Sequence, residues 1–492
     1  MRPISRRNAL LLGGLGVAAT AAGGTGLAWT LTGQGNPGAP APAGGTAFSQ
    51  PPEERSSAGL LQVRLTAAPG PVRLADREAN ALSYNGSIPG PTLRLKPGDT
   101  LKIALANNLA QATNLHLHGL HVSPEGNGDN VFVHVEPGRS FDYEYRLPND
   151  HPPGVYWYHP HVHGTVADQI FAGLFGAIIV EDPVPAGAGT ERLLVVSDTA
   201  LDGLGSISPV SDMERMMGRE GGLVLVNGQL SPRFTARPGE QERWRILNAC
   251  VSRYLRLRLD GQQLQLLGID SNRGQDPEDV QELVLAPGNR ADLLVTTRPG
   301  ESVLFASPYD RGSMAGMMGR GFGRPAPQED IGATALATLS VSGEAAVPPA
   351  ASQPRAAPRD LRQSAVAAHR QFTMDMGMGM GMAGGMMRFT INGREYDADR
   401  TDTSVAAGSV EEWTIINTSP MDHPFHLHVW PMQVMEDGRQ PGAPMWRDVV
   451  NVPANGRVTV RVAFEGFRGR SVYHCHILDH EDLGMMGVID VR

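Results

Sequence analysis

From Gly59 onward the chain consists of short runs rich in valine, leucine and threonine, separated by turn sequences such as Pro-Gly and Asn-Gly. Runs of this length bounded by glycine, proline and asparagine are typical of β-strands, and a long succession of them is typical of β-sandwiches. The pattern therefore predicts an all-β protein. The content of 59 glycines and 38 prolines, with only 19% charged residues, agrees with this prediction.

Two blocks of sequence occur three times along this pattern. The first block begins at an Asn-Gly pair and ends at a second asparagine, and its copies cover residues 85–107, 227–248 and 392–417. The second block begins at Pro137-Gly138, at Pro287-Gly288 and at Pro453-Ala454-Asn455-Gly456, and a strand-like run follows each time. Internal repeats indicate repeated structural units. We therefore expect three homologous β-sandwich domains.

Composition divides the chain into these domains and their connections. Segments rich in glycine, alanine and proline precede the first repeat and separate the second domain from the third, and such segments are typical of flexible linkers. The predicted division is a leader at 1–32, a linker at 33–57, domain 1 at 58–183, domain 2 at 184–345, a second linker at 346–368 and domain 3 at 369–492.

The leader has the layout of a twin-arginine export signal. Ser5-Arg6-Arg7-Asn8 precedes an apolar, glycine-rich run from Ala9 to about Leu31. Such signals export folded proteins, which predicts a periplasmic or extracellular location and the twin-arginine machinery as a partner. The alternative is a retained membrane anchor, but the run is weakly hydrophobic, so we expect no stable membrane insertion.

The net charge of −9 argues against nucleic acid as a partner.

The stretch with the clearest chemistry is His474-Cys475-His476, which His480 and Met485 follow. Two imidazoles, a thiolate and a distant thioether are the ligands of a blue-copper site, and Cys475, His480 and Met485 fit three of those positions. In a strand, neighbouring side chains point to opposite faces, so the two flanking histidines would serve a different metal site. Their backbones would lie about 6.6 Å apart, enough for each histidine to bind one of two neighbouring coppers.

Pairs of the form His-x-His occur five times, whereas random placement of the 15 histidines predicts about 0.5 such pairs. Each pair straddles a residue that faces away, so the pairs from domains 1 and 3 can surround one metal cluster at the interface of these domains. Domain 2 has no histidine between His163 and His369, which predicts that it acts as a spacer. The pairs are 116/118, 159/161, 161/163, 426/428 and 474/476.

His423 stands outside these pairs, three residues before His426. We expect Pro424 to break the local strand, because proline cannot donate a hydrogen bond within a sheet, and thereby to let His423 turn towards Cys475 and His480. His423 would then complete a set of two histidines and one cysteine.

The four stretches that contain these residues, at 116–118, 159–161, 423–428 and 474–485, resemble the copper signatures of the multicopper oxidases, the family of laccases and bacterial cuprous oxidases. The resemblance extends from about Gly59 to the end of the chain. It implies three cupredoxin-like Greek-key β-sandwiches and four copper ions, namely one type 1, one type 2 and two type 3 ions. Leu117 stands where many relatives have tryptophan, but it would point away from the metals. The implied ligands are Cys475, His423, His480 and Met485 for type 1, His116 and His426 for type 2, and His118, His159 and His476 together with His161, His428 and His474 for the type 3 pair.

The resemblance also implies the reaction. A reductant such as a phenol or Cu(I) gives single electrons to the type 1 copper at an edge of His423 or His480 near the surface, and four electrons reduce dioxygen to water at the cluster. Protons must reach the cluster, and carboxylates beside the ligands are suited to carry them. Glu481 and Asp129 are the candidates, although either acid could instead fix the tautomer of an imidazole. Asp448 is a further candidate for such a hydrogen bond.

Methionines form two clusters whose role the sequence leaves open. One is the glycine-rich run from Met374 to Met387, and the other contains residues 314, 317 and 318. Glycine packs poorly in strands, which favours a mobile loop. Thioethers bind Cu(I), so the alternative is a site that collects substrate metal over the type 1 copper, as in relatives that oxidise cuprous ion. The candidates for such a site are Met374, Met376, Met378, Met380, Met382, Met421 and Asp482.

Other functions are open at this point. A dedicated cuprous or metal-ion oxidase with little activity towards phenols is the main alternative within the family. A copper-binding stress protein without turnover would use the same fold, but such relatives typically lose copper ligands. A copper nitrite reductase would not need four histidine pairs.

The second cysteine and the other histidines lie outside this pattern. With Cys475 assigned to copper, Cys250 has no partner for a disulfide within the chain, so we expect it to be a small buried residue. We expect structural or surface positions for the remaining histidines, at residues 121, 134, 151, 163 and 369.

Overall fold

The computed structural model describes residues 45–183, 187–270, 272–312, 332–347, 358–378, 387–435 and 444–492. Within these ranges the chain is built almost entirely from β-strands, which pair into six sheets. The sheets pack in twos around three main cores, so the predicted all-β fold of consecutive sandwiches is confirmed. The leader and the methionine cluster at 314–318 lie outside the described residues.

The first sandwich packs a sheet of four strands on a sheet of five. Its strands are β1 (Glu53–Arg55), β2 (Leu60–Leu74), β3 (Arg77–Tyr84), β4 (Thr92–Leu95), β5 (Thr100–Asn107), β6 (His116–His118), β7 (Ser140–Arg146), β8 (Gly154–His159) and β9 (Gly176–Val180). The sheet orders are β3-β2-β5-β7 and β1-β4-β9-β8-β6. Leucine and tyrosine side chains from both sheets fill the space between them.

The second sandwich packs a sheet of six strands on a sheet of five. The strands are β10 (Thr190–Thr199), β11 (Leu223–Val226), β12 (Arg233–Ala236), β13 (Gln241–Asn248), β14 (Leu255–Leu259), β15 (Gln263–Ile269), β16 (Asn272–Val280), β17 (Leu283–Leu285), β18 (Arg290–Thr296), β19 (Gly300–Ser307) and β20 (Thr334–Val341). The sheet orders are β11-β10-β13-β18-β15-β16 and β12-β20-β19-β14-β17.

The third sandwich repeats this plan. Its strands are β21 (Ala368–Met378), β22 (Met387–Ile391), β23 (Thr403–Val405), β24 (Val410–Asn417), β25 (His423–Leu427), β26 (Met432–Val434), β27 (Met445–Arg447), β28 (Val449–Val452), β29 (Arg457–Ala463), β30 (Gly469–Cys475) and β31 (Met486–Val491). The sheet orders are β22-β21-β24-β29-β26-β27 and β23-β31-β30-β25-β28.

The helices in the described ranges are short. They are α1 (Val166–Phe171), α2 (Asp212–Met217), α3 (Leu478–Asp482) and a 3-10 helix at Leu361–Gln363. In α2 the hydroxyl of Ser211 accepts from the amide of Glu214, whose carboxylate accepts from the amide of Ser211 in return, and this reciprocal cap stabilises the first turn. In the part of the chain that the structure describes, no helix is long and apolar enough to cross a membrane.

The Asn-Gly pair of the repeat forms the same tight turn in all three sandwiches. Both residues have positive φ in Asn85-Gly86, Asn227-Gly228 and Asn392-Gly393. Two successive residues with positive φ define the type I′ turn, which asparagine and glycine adopt at the lowest cost. Each asparagine side chain also accepts a hydrogen bond of 2.8 Å from the amide of a neighbouring strand. The donor amides are those of Thr66, Val195 and Thr373.

The second asparagine of the repeat joins the end of a strand to the loops beside it. Its side-chain oxygen accepts from the amide two residues further on, and its side-chain nitrogen donates to at least two backbone carbonyls. An apolar residue at this position would leave those buried groups unpaired. The residues are Asn107, Asn248 and Asn417, and their shared contacts explain why the repeat is visible in the sequence.

Both predicted linkers pack against the sandwiches where they are described. β1 pairs with β4 at the edge of domain 1, and the ring of Phe48 lies 4.4 Å from the ring of Phe234 in domain 2. Leu361 is fully buried in the 3-10 helix. The expectation of flexible linkers is therefore wrong for residues 45–57 and 358–368, because their backbone pairs with strands, Phe48 packs against the core of domain 2 and Leu361 is buried.

Met374 and Met376 belong to strand β21, which pairs with β22 and β24. Their side chains are 0% and 4% exposed in the core of domain 3, which also contains Phe372. Alternate residues of a strand share a face, so positions 372, 374 and 376 all point into this core. The expectations of a mobile loop and of a surface metal site are both wrong for these two methionines. Met378 ends the strand, and Met380 and Met382 lie outside the described residues.

Candidate metal centre

Four strands bring the predicted histidine pairs together between domains 1 and 3. In domain 1, β6 pairs with β8 so that His116 lies opposite His159. In domain 3, β25 pairs with β30 so that His426 lies opposite His474. The two domains therefore contribute equivalent strand pairs to the site, in agreement with the repeated sequence blocks.

Alternation along these strands sends the residue between two histidines away from the cluster. Leu117 is buried in the core of domain 1, and Leu427 and Cys475 are buried in the core of domain 3. Since successive side chains of a strand point to opposite faces, the flanking histidines point away from these cores.

The imidazole rings of the two domains stack on one another. The ring of His116 lies on the ring of His428 with centroids 3.7 Å apart, and the ring of His118 lies on that of His426 at 3.8 Å. Each stack joins a residue of β6 to a residue at or just after the end of β25. The cluster is therefore an interface between domains, as the sequence predicts.

Three imidazole nitrogens converge beside these stacks. Nε2 of His474 lies 3.2 Å from Nε2 of His161 and 3.0 Å from Nε2 of His428. These three residues form one of the groups whose ligand atoms all lie within 4.8 Å of one another. They are the same three residues that the family resemblance assigns to one type 3 ion.

Burial sets the protonation state of the cluster. All eight of its histidines are at most 2% exposed. Burial removes the water that would stabilise an imidazolium ion, so it lowers the pKa of every ring, to about 3 for His159 and about 4 for His474. The rings are therefore neutral, and neutral imidazole is the form that binds metal ions.

Backbone carbonyls fix the orientation of three rings through Nδ1. The distances from Nδ1 to the carbonyl oxygen are 2.8 Å for His159, 2.7 Å for His426 and 2.9 Å for His474. A nitrogen that donates to a carbonyl carries the proton, so Nε2 of these rings presents a lone pair. The carbonyls belong to Pro160, Asp448 and Cys475.

The inward nitrogens have the chemistry of a metal site. Four of these nitrogens are buried and have no hydrogen-bond partner among the residues that the structure describes, namely Nε2 of His116, His159 and His426 and Nδ1 of His118. A buried nitrogen without a partner is costly, and several lone pairs directed at one another increase that cost. Cations at the centre would satisfy all of these atoms at once, so the residues present fit the copper cluster that the resemblance implies.

The predicted type 1 ligands form a second group on the other face of β30. Nδ1 of His423 lies 3.3 Å from Sγ of Cys475 and 3.3 Å from Nδ1 of His480, and the sulfur lies 3.9 Å from Nδ1 of His480. Met485 is buried in the same core. Burial raises the pKa of the Cys475 thiol, whereas the amide of Ile477, 3.4 Å from the sulfur, lowers it. A thiolate in these surroundings needs a cation beside it.

The strand that carries His423 is continuous. β25 runs through Pro424, which lies opposite Asn451 in β28, so the prediction that this proline breaks the strand is wrong. Alternation alone directs His423 to the face of Phe425, towards the cysteine, and His426 to the face of the cluster. An odd spacing of three residues is sufficient to place the two histidines in different sites.

Neither imidazole of the type 1 group reaches the surface. His423 and His480 are both 0% exposed. Nε2 of His423 lies 2.8 Å from the hydroxyl of Ser419, and Nε2 of His480 lies 3.2 Å from the carbonyl oxygen of Met216 in helix α2. The expectation that a donor meets an edge of either ring near the surface is therefore wrong, since domain 2 covers His480.

Glu481 lies beside two histidines of the cluster. Its carboxylate oxygens are 3.5 Å from Nδ1 of His161 and 3.2 Å from Nδ1 of His474. The side chain is fully buried, which raises its pKa well above the usual range of a carboxyl group. A carboxyl group in this position can hold a proton beside the cluster, as the sequence-based hypothesis of a proton carrier requires.

Asp129 holds His116. Its carboxylate lies 3.0 Å from Nδ1 of this ring and accepts a hydrogen bond of 2.9 Å from the amide of Leu117. Burial raises its pKa to about 8, although the bond from the amide opposes that shift. The arrangement favours the second alternative for this acid, in which it fixes the tautomer of an imidazole.

Domain 2 reaches the cluster through Arg290. Nη1 and Nη2 of this arginine donate to the carboxylate of Asp448 at 2.5 and 2.6 Å, and the same carboxylate lies 3.0 Å from Nε2 of His118. All three side chains are buried. Domain 2 supplies no imidazole, but the prediction of a mere spacer is wrong, because its arginine fixes the acid that orients a predicted ligand.

The two residues suggested for substrate metal have other roles in the described structure. Met421 is fully buried in the core of domain 3. Asp482 accepts hydrogen bonds from the amides of Gly164, Val166 and Ala167, where helix α1 begins. The acid therefore joins domain 3 to domain 1.

The remaining histidines take part in neither group. Nδ1 of His121 lies 2.9 Å from the carbonyl of Val429, and Nε2 of His151 accepts from the amide of His121 at 3.1 Å. Cys250 is a fully buried core residue of domain 2, as predicted. The other histidines are exposed, and they are His134, His163 and His369.

Known proteins resemble the chain along most of its length. Family models described as multicopper oxidase match residues 66–185, 196–316 and 367–492. The multicopper oxidase mco of Staphylococcus haemolyticus is 28% identical over 429 residues, which cover 84% of each chain. The cell division protein FtsP of Pectobacterium atrosepticum is 29% identical over 386 residues, 76% of this chain and 77% of that protein.

A solved structure supports the same relationship. The multicopper oxidase from Campylobacter jejuni, described as a metallo-oxidase, superimposes with a TM-score of 0.79 at 31% identity, and the match covers 91% of this chain and 95% of that one. The three family matches follow the three sandwiches, and the histidines of the copper signatures meet between the first and the last of them. The chain therefore belongs to the multicopper oxidase family.

Proposed function

We propose that this protein binds four copper ions at two sites and couples the oxidation of a small reductant to the reduction of dioxygen to water. The observation that carries the proposal is the arrangement of the buried, neutral imidazoles in two groups, one on each face of strand β30. Copper bound there would accept single electrons at the cysteine site and supply them to dioxygen at the cluster.

The proposed ligand sets follow the copper signatures. The geometry of His423, Cys475 and His480 supports the type 1 set, and the convergence of His161, His428 and His474 supports one type 3 set. The proposed sets are His423, Cys475, His480 and Met485 for type 1, His116 and His426 for type 2, and His118, His159 and His476 with His161, His428 and His474 for the type 3 pair.

The protein's own residues connect and protect these sites. The backbone of His474-Cys475-His476 joins one group to the other through a few covalent bonds. Glu481 holds a proton beside the cluster, and Asp129 and Asp448 keep His116 and His118 in fixed orientations. All eight imidazoles of the cluster are at most 2% exposed, so the surrounding side chains exclude bulk water from them.

Replacement of Cys475 by serine tests the copper assignment. We expect Cys475→Ser to remove both the blue absorption and the oxidase activity, since a hydroxyl cannot supply the charge-transfer band of a copper thiolate. Cys250→Ser is the matched control, because this second cysteine is equally buried but lies in the core of domain 2, and it should keep both properties. Visible spectra of the copper-loaded proteins decide the question, and an undiminished band in the Cys475 variant would place the copper thiolate elsewhere.

Replacement of Glu481 by glutamine tests the proton pathway. We expect Glu481→Gln to slow reoxidation by dioxygen about 100-fold, the lower end for loss of a general acid, and to leave reduction of the type 1 site by substrate nearly unchanged. Glu242→Gln is a suitable control, since Glu242 is also fully buried but binds Arg192 in domain 2. Stopped-flow traces separate the two half-reactions. Equal slowing of both would assign Glu481 to the type 1 site instead.

Cuprous ion is the first candidate for the reductant, with phenols as the second. Helix α2 covers His480, so a bulky ring cannot contact this imidazole unless the helix moves. The same helix carries Met213, which is 56% exposed, together with two further methionines at 216 and 217. Thioethers prefer Cu(I), and the similar protein from Campylobacter jejuni is described as a metallo-oxidase.

The methionine segment 379–386 offers a test of the reductant. It lies outside the described residues and contains three methionines, whereas the core positions Met374 and Met376 must stay intact. We expect its replacement by a Gly/Ser linker of equal length to lower the kcat/KM for Cu(I) several-fold and to leave that for a dimethoxyphenol equal or higher. An unchanged ratio of the two efficiencies, with full copper content, would contradict metal collection by this segment.

We also propose export by the twin-arginine machinery, which accepts folded proteins and thus suits a chain whose metal site joins two domains. The support is Arg6-Arg7 before the apolar run to residue 31. Replacement of both arginines by lysine should retain the protein in the cytoplasm, as cell fractionation and immunoblotting would detect. Export at the original level would contradict this route.

A further inference from the structure

Helix α3 connects the two candidate copper sites. It carries His480 of the type 1 group and, directly after it, Glu481 of the cluster. The helix has only five residues, and among the described residues no side chain caps its first turn. Because so short a helix has almost no stability of its own, its position depends on contacts with the rest of the protein.

Arg219 of domain 2 provides the principal contact at the start of this helix. Its backbone amide donates to the carboxylate of Asp479 at 2.8 Å, and Nε and Nη2 donate to the same carboxylate at 2.5 to 3.1 Å. Nη1 donates to Asp168 of domain 1 at 2.6 Å. The side chains of Arg219 and Asp479 are 3% and 1% exposed. One buried arginine thus joins all three domains at α3.

The residues before Arg219 follow the surface of the same helix. The carbonyl of Met216 faces Nε2 of His480 at 3.2 Å. Gly218 has a φ of 74°, and a Cβ atom there would lie 2.7 Å from Cγ2 of Ile477, so only glycine allows this approach. Residues 216–219 therefore form a clamp that extends from the imidazole of the type 1 group to Asp479.

The far end of the helix is held by domain 1. The carboxylate of Asp482 accepts from three backbone amides at the start of helix α1, at 2.7 to 3.2 Å. Acids at both ends of α3 are thus held by other domains, while the two residues between them serve the two copper sites.

We propose that Arg219 is a positioning residue for both copper sites. It acts through Asp479, whose place in α3 fixes the positions of His480 and Glu481. A guanidinium group binds a carboxylate through two parallel hydrogen bonds, which lysine cannot reproduce. Without the guanidinium, the buried carboxylate of Asp479 would keep only the amide of residue 219 among these donors, and the helix would move to hydrate it. The inference rests on the proposed copper sites, although its first test needs no copper.

The first test measures the helix in copper-free protein. In Arg219→Lys, we expect the backbone amides of residues 478–485 to exchange with deuterium at least about tenfold faster, the ratio that corresponds to ~1.4 kcal/mol of local stability. The control is Arg243→Lys. Arg243 is equally buried in domain 2 and pairs with two aspartates, Asp182 and Asp292, so its variant should lose global stability without a selective change in these amides.

The second test measures both copper sites in loaded protein of equal copper content. We expect Arg219→Lys to shift the electron paramagnetic resonance parameters of the type 1 copper and to slow reoxidation by dioxygen several-fold. Arg243→Lys should change neither. Asp479→Asn, which keeps the size of the acid, should produce the same two changes, and it replaces the arginine variant if that variant does not fold.

The outcomes separate positioning from mere stability. Selective exchange in α3, together with changes at both copper sites, supports the proposal. Lower melting temperatures in the variants at 219 and 243, with unchanged exchange in α3 and unchanged resonance parameters, would overturn it. If the protein bound no copper, the copper-free exchange would still report whether Arg219 holds the helix, so failure of the proposed function is distinguishable.

Discussion

The burial of many neutral imidazoles at one domain interface is the constraint on which the rest of this structure depends. Each buried ring needs partners for both of its nitrogens, because an unpaired nitrogen away from water is costly. The protein supplies a partner for the outer nitrogen of rings such as His116, His159 and His426 and leaves the inner nitrogen directed at the cluster. Cations at the centre would satisfy these lone pairs together, so the proposed binding of copper would also stabilise the interface.

Strand alternation and domain packing together produce this arrangement of the imidazoles. Alternation in β30 separates His474 from Cys475, which gives two sites joined by a single peptide backbone. Contacts between domains then fix residues that the strand alone does not position. Domain 2 contributes two arginines, of which Arg290 holds the acid beside His118 and Arg219 holds the helix that carries His480. A domain without ligands is thus a structural support for both sites.

The fold and the candidate ligands could be predicted because both depend on local patterns. The Asn-Gly turns, the His-x-His spacing and the two histidines that flank Cys475 each involve residues only a few positions apart in the sequence. The roles of the arginines could not be predicted, since Arg219 and Asp479 are 260 residues apart and no local pattern relates them. For Met374 two local patterns compete: the glycines of the run favour a loop, whereas the alternation of apolar residues from 372 to 376 favours a strand with this side chain inside, and the alternation decides the structure. The contact of helix α2 with His480 could not be predicted for the same reason, because it joins segments that are distant in the sequence.

Anomalous diffraction at the copper edge, from crystals of the copper-loaded protein, would locate the metals without reference to activity. The proposed arrangement predicts one copper peak beside Cys475 and three between domains 1 and 3, the latter within bonding distance of imidazole nitrogens of the cluster. A structure with copper beside Cys475 alone, or with the imidazoles of the interface bound to one another and no metal among them at full copper loading, would contradict it.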